Sequence, residues 1–205
     1  MTNRPVFFVL PFLMLLGACA TGPVADSNPD SASVTTTTME PLVPADGDLI
    51  RQPLAEIAAA LRTGEVTSEA LVERYLARIE AIERQGPKLQ SVLALNPDAL
   101  TDARARDAQR ENGETLGPLH GVPILLKDNI ESRDNLATTA GAIVLADNVT
   151  GRDAPLVAGL RAAGAVILGK TNLSQWANFR SSGSISGWSA LGGQVRNPHM
   201  LDRSP

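Results

Sequence analysis

The chain has 205 residues, 43% of them hydrophobic and 20% charged, with a formal net charge of −4. Acids and bases are interspersed, which excludes a basic footprint for nucleic acid and a polybasic patch for a membrane surface. Aromatics amount to only 3%, leaving the core to Ala, Val, Leu and Ile, and the single cysteine excludes a disulfide within the chain.

Residues 1–19 read as a targeting segment. Arg4 supplies a positive start, and Val6 to Leu16 is apolar apart from Pro11. That run is too short to cross a hydrocarbon core of ~30 Å comfortably as a helix, so it has the form of a signal-peptide h-region. Its end, Leu16-Gly17-Ala18-Cys19, resembles a bacterial lipobox, in which the cysteine becomes the lipidated first residue of the mature protein. Cleavage after Ala18-Cys19-Ala20 has the same small-x-small form and stays open beside it. Either route predicts an exported protein of the bacterial cell envelope, facing the periplasm if Cys19 carries a lipid. Residues 20–48 are rich in Ser, Thr, Pro and Asp without apolar periodicity, the composition of a disordered tether.

From residue 49 the texture becomes that of a folded domain. A short helix is expected over Leu54 to Arg62, ending near Gly64, and a longer one from Thr67 or Ser68. Leu71, Val72, Tyr75, Leu76, Ile79 and Ile82 give the longer helix its apolar stripe. Leu89 to Leu95 reads as a strand. Asn96-Pro97 then opens a helix running to about Glu111. Val122 to Leu126 and Ala165 to Leu168 are continuous apolar runs, as in strands buried on both faces. Between them Asp153 is placed to cap a helix through Ala163. Such alternation predicts an α/β fold with helices against a central sheet.

In sheets of this kind ligands gather at the carboxyl ends of strands. Lys127 leaves the core there, and only three of the eighteen cationic residues are lysines. Burial behind the apolar run would disfavour its charged form and equip it as a base. A lysine after a strand is also an ordinary surface residue, and spacing alone does not separate the two readings. Lys170, placed after the other strand, is read as structural. Asp128 is read as a loop acid able to pair with Lys127. His120 and His199 have no partners at zinc-ligand spacing.

The segment Gly117-Pro118-Leu119-His120-Gly121-Val122-Pro123-Ile124-Leu125-Leu126-Lys127-Asp128-Asn129 with Thr138-Thr139-Ala140-Gly141 resembles the opening of the amidase signature. Gly169-Lys170-Thr171-Asn172-Leu173-Ser174-Gln175-Trp176-Ala177, Gly187-Trp188-Ser189 and Arg196-Asn197-Pro198 follow in the family's order. The stretch Ser174 to Ser182 is similar to the peptide-amidase branch. The resemblance covers about residues 50–205 and implies an amidase-signature fold, α/β with a mixed central sheet flanked by helices and incomplete in this chain, residues 49–205 being the N-terminal part of the amidase domain.

It further implies hydrolysis of linear carboxamides, C-terminal peptide amides among them, by a Ser–cisSer–Lys triad without metal or cofactor. Lys127 matches the catalytic lysine, neutral at rest, and Trp176, Asn178 and Phe179 match a stretch near the acyl-binding channel. None of Ser181, Ser182, Ser184, Ser186, Ser189 or Ser204 matches either triad serine, so this chain alone is expected to be inactive. The partners implied are a small-molecule or peptide amide and, through Cys19, a membrane. A non-catalytic envelope lipoprotein or an inactive truncated product is the alternative. Within the same fold the amidotransferase component that works on charged tRNA is a lesser one, which an export signal opposes.

Overall fold

The computed structural model describes residues 49–114, 117–179, 182–183 and 185–205. The expected signal peptide, Cys19 and the tether lie outside them, as do Ser181 and Ser184. Among the described residues no helix is long and apolar enough to cross a membrane.

Helix α1 (Leu54–Thr63) follows Pro53 and closes on Gly64, whose φ of 77° lets its N–H return to the Leu61 carbonyl. Helix α2 (Ser68–Ile79) starts with all four N–H groups of its first turn satisfied. Thr67 Oγ1 accepts from Ala70 N and the Thr67 carbonyl accepts from Leu71 N. The Asp107 carboxylate takes Ser68 N at 2.7 Å and Glu69 N at 2.9 Å. A helix start has no internal acceptors for these donors, and an anion there also suits the helix dipole. The helix runs on into a wider π-helical turn over Glu80–Gln85, ended by Gly86.

Strand β1 (Val92–Leu95) is shorter than its apolar pattern predicts, because Lys88 and Gln90 take φ values of 54° and 57°, outside the extended region. Helix α3 (Ala99–Glu111) begins later than expected. Asn96 Oδ1 accepts Asp98 N at 3.1 Å in a local turn, while its Nδ2 donates to the Ile167 carbonyl at 2.8 Å. Asn96 is thus committed to the sheet and does not cap α3. Strand β2 (Pro123–Lys127) is followed by a long irregular stretch, helix α4 (Pro155–Ala162) and strand β3 (Val166–Thr171). Asp153 does not cap α4; its carboxylate is taken by Arg133 N at 2.8 Å and by Arg161. A small hairpin, β4 (Trp188–Ser189) with β5 (Gly193–Gln194), completes the described elements.

The main sheet has the order β1–β3–β2, with β3 antiparallel to β1 and parallel to β2. It is mixed, as expected, but its order makes the two apolar runs unequal. β3 has a neighbour on each side and is buried through Lys170, whereas β2, among the described residues, pairs on one side only and is half-buried until Leu126. The runs look alike in sequence, yet only one is doubly covered.

Three clusters form the core. Val72 of α2 with Ala99 and Ala103 of α3 packs against Val166 and Leu168 on one face of the sheet. Val157 of α4 packs against Leu126 and Ile167 on the other. Ile57, Ala60, Leu61, Val66 and Leu71 close over Val122 at the start of β2.

Candidate active site

Lys127 is the last residue of β2, opposite Thr171 of β3, and it is exposed. The expected burial of this lysine is not observed. Among the described residues its strand pairs only with β3, and the apolar residues before it bury their own side chains without covering its ammonium.

The chain turns sharply after Lys127. Ile130 N donates to the Lys127 carbonyl at 2.9 Å, and Asp128 N donates to the Thr171 carbonyl. Asp128 is 2% exposed. Its carboxylate accepts from the Thr139 hydroxyl and, at 3.3 Å, from Gly141 N. Its carbonyl accepts from Thr139 N and Ala140 N. It is a buried acid of the loop, and its hydrogen bonds go to residues 139–141 rather than to Lys127. It ties the turn after the strand to residues 139–141. Gly141 is required there: its φ is +78°, and a Cβ would come 2.6 Å from Ser189 Cβ.

Lys170 is the lysine that burial affects. It lies inside β3, not after it, with 0% exposure. Its Nζ donates to the Ile130 carbonyl at 2.5 Å and to Thr138 Oγ1 at 2.8 Å. Desolvation lowers its pKa from the usual lysine value, against the charges of Asp128, Asp134 and Glu131, which favour the ammonium. Glu131 itself is held low by its hydrogen bond to Arg152, with Nε and Nη2 each 2.8 Å from a carboxylate oxygen.

Close to this turn lies an open groove of about 470 Å³, lined by Asn129, Glu131, Thr138, Ala140, Trp176 and Phe179 among others. Trp176, Ala177 and Asn178 carry φ values of 51°, 53° and 66°. Three successive non-glycine residues in the left-handed region store of order 1–3 kcal/mol each, a cost characteristic of functional segments. The twist sets Trp176 and Phe179 edge to face, with centroids 6.4 Å apart, and Phe179 remains 77% exposed. Asn178 is not on the groove wall, so two of the three residues expected near substrate share it. Lys127 is off the wall too, represented there by Asn129, two residues on.

Ser189 is fully buried, donating to Asn172 Oδ1 at 2.7 Å and accepting from Gly192 N. That hydroxyl is structural. His120 Nε2 sits 2.7 Å from the Arg106 carbonyl and so carries its proton; burial lowers its pKa.

The Amidase family model matches residues 70–205. The chain is 47% identical over 154 residues to a probable amidase of Arabidopsis thaliana, a match covering 74% of this chain and 30% of that protein. It is 42% identical over 159 residues to a glutamyl-tRNA(Gln) amidotransferase subunit of Streptomyces avermitilis, covering 77% and 30%. The solved native peptide amidase from Stenotrophomonas maltophilia superposes with a TM-score of 0.73 at 52% identity, covering 76% of this chain and 31% of that one. The chain thus spans about 30% of the length of the relatives it matches. The mixed sheet, the helices on both its faces and these matches together make the chain a member of the amidase family, with the amidase-signature fold and a peptide amidase among its structural neighbours.

Proposed function

We propose that the full-length protein hydrolyses linear carboxamides, C-terminal peptide amides among them, with Lys127 as the base of a Ser–cisSer–Lys triad. The observation that carries this reading is the position of Lys127 at the carboxyl end of β2, two residues before a groove whose walls include Trp176 and Phe179. In this reading a nucleophilic serine attacks the amide carbonyl, and a second serine relays its proton to the lysine. Ammonia leaves, and water releases the acyl group. Lys127 is exposed among the described residues, so base duty in this reading calls for further cover over its ammonium.

Ammonia release from a peptide amide tests the proposal in the full-length protein. Lys127→Ala is expected to lower kcat/KM by about 10²–10⁴-fold, the usual contribution of a general base. Full activity in that variant removes Lys127 from the mechanism. The 205-residue chain alone, in which no serine matches the triad, is expected to show no turnover; measurable turnover refutes that.

The similarity to a glutamyl-tRNA(Gln) amidotransferase favours a second reading, in which released ammonia is passed on to another acceptor. Turnover of a free peptide amide without partner proteins decides against it, and no turnover of any amide supports the non-catalytic envelope protein instead. We further propose attachment to the envelope through lipid on Cys19. In a bacterial host, Cys19→Ala is expected to move the protein from the membrane fraction to the soluble one, and unchanged fractionation overturns the anchor.

A further inference from the structure

We propose that Lys170 is a positioning residue for Lys127: its buried Nζ ties the loop after Lys127 to Thr138 and so fixes where the Lys127 side chain leaves the sheet. This inference rests on the reading of Lys127 as the base.

Strand β3 is irregular. Along β2 and β3, Ile124 pairs with Ile167 but Leu125 pairs with Gly169, so Leu168 is an extra residue on β3. Strict alternation would put Lys170 on the face opposite Ile167, among the apolar side chains of α2 and α3. The bulge restores it to the face of Ile167 and Leu126, under the stretch that follows β2. Gly169 makes this possible, because a Cβ there would overlap the Ala94 carbonyl oxygen and lie 3.1 Å from Leu95 Cα.

From that position Nζ contacts two points on the stretch after β2, which the Thr138 hydroxyl also joins by donating to the Ile130 carbonyl at 3.5 Å. One is the Ile130 carbonyl, whose own N–H closes the turn on the Lys127 carbonyl. The other is the Thr138 hydroxyl, on the wall of the groove. Asp128 braces the same arrangement from its far side through Thr139 and Gly141. A lysine in the dry interior of a strand opposes folding unless its donors are used. Here they are used on the loop that carries the proposed base and on the groove wall. A hydrocarbon of the same length would fill the space without holding either.

The test is carried out in the full-length protein with wild type, Lys127→Ala, Lys170→Met, Thr138→Val and Thr138→Ser. kcat and KM are measured on a peptide amide, native melting establishes folding, and amidination of the Lys127 peptide is followed by mass spectrometry. Lys170→Met is expected to lower kcat by about 10²-fold with KM little changed, the size of loss a misplaced catalytic group produces. It is also expected to alter the amidination rate of Lys127. Should Lys170→Met fail to fold, the Thr138 pair decides: the Val variant is expected to lose kcat and the Ser variant, which keeps the hydroxyl, to regain it. Wild-type kcat and wild-type Lys127 labelling in folded Lys170→Met overturn the inference, as does a rise in KM alone. If Lys127→Ala is fully active, the base itself is lost and the inference falls with it. If Lys127→Ala is dead while Lys170→Met behaves as wild type, only the positioning role falls.

Discussion

Arg161 reaches from α4 with Nη2 2.6 Å from Asp134 Oδ2 and Nε 3.0 Å from Asp153 Oδ2, all three side chains nearly covered. Burial works against its charge, but the hydrogen bond and charge of Asp134, with Asp153 behind them, hold the guanidinium above its ordinary pKa. Removing Arg161 leaves the buried Asp134 with only Asn96 Nδ2 at 3.5 Å and leaves Asp153 to Arg133. Arg161→Met is expected to cost about 3–5 kcal/mol in urea unfolding; a loss under ~1 kcal/mol would mean that the acids find water or other donors. Gly169→Ala belongs to the same scale. Its Cβ would meet backbone rather than a mobile side chain, so relief must come from the sheet itself. A loss of about 1–3 kcal/mol is expected, as for overpacking a core, and a melting curve like wild type would show that the bulge yields.

These residues also show what the amino-acid sequence discloses and what it withholds. The motifs locate Lys127, Asp128 and Lys170, but the apolar run before Lys127 does not disclose that, among the described residues, Lys170 is the covered lysine and Lys127 the exposed one. Periodicity treats every strand as a regular ladder, and the extra residue at Leu168 is invisible to it. A glycine inside an apolar run is the available signal, since interior glycines mark bulges and close approaches. The role of Asp128 is hidden for a related reason. Its partners, Thr139 and Gly141, lie on another part of the chain and cannot be found by local pairing rules.

At the scale of elements, helices with sharp boundary residues are legible: Gly64 closes α1 and Thr67 opens α2 where the sequence places them. Boundaries marked by Asn96 and Asp153 are not, because those side chains are recruited by Ile167 and by Arg133 and Arg161. Thr67→Ala should therefore destabilise by about 1 kcal/mol, the usual worth of a cap. No measurable change in thermal unfolding would mean that Asp107 alone suffices for the first turn. Strand burial is the least legible property, since which strand has a neighbour on each side among the described residues depends on strand order rather than on composition.

For the whole molecule, Lys170 gives stability a pH dependence whose sign can be worked out. Its folded-state pKa is lowered, so between that value and the ordinary one the unfolded chain holds more protons than the folded one. Stability relative to Lys170→Met should therefore rise with pH across that interval and stay flat below it. A difference that falls as pH rises would contradict the lowered pKa. His120, also lowered by burial, acts in the same sense nearer neutrality: its contribution is present above the ordinary histidine range and is lost on acidification through it.

The capping of α2 from α3 bears on how the chain reaches this state. Asp107 and Ser68 are 39 positions apart, so the bond that finishes the first turn of α2 closes a long loop. An isolated peptide holding α2 keeps Thr67 but loses half of its first-turn acceptors, and should be largely unstructured. In the intact chain the two helices should then form together, and Asp107→Ala should slow refolding as much as it weakens the native state. A carboxylate on one helix would thus couple the formation of the other to its own.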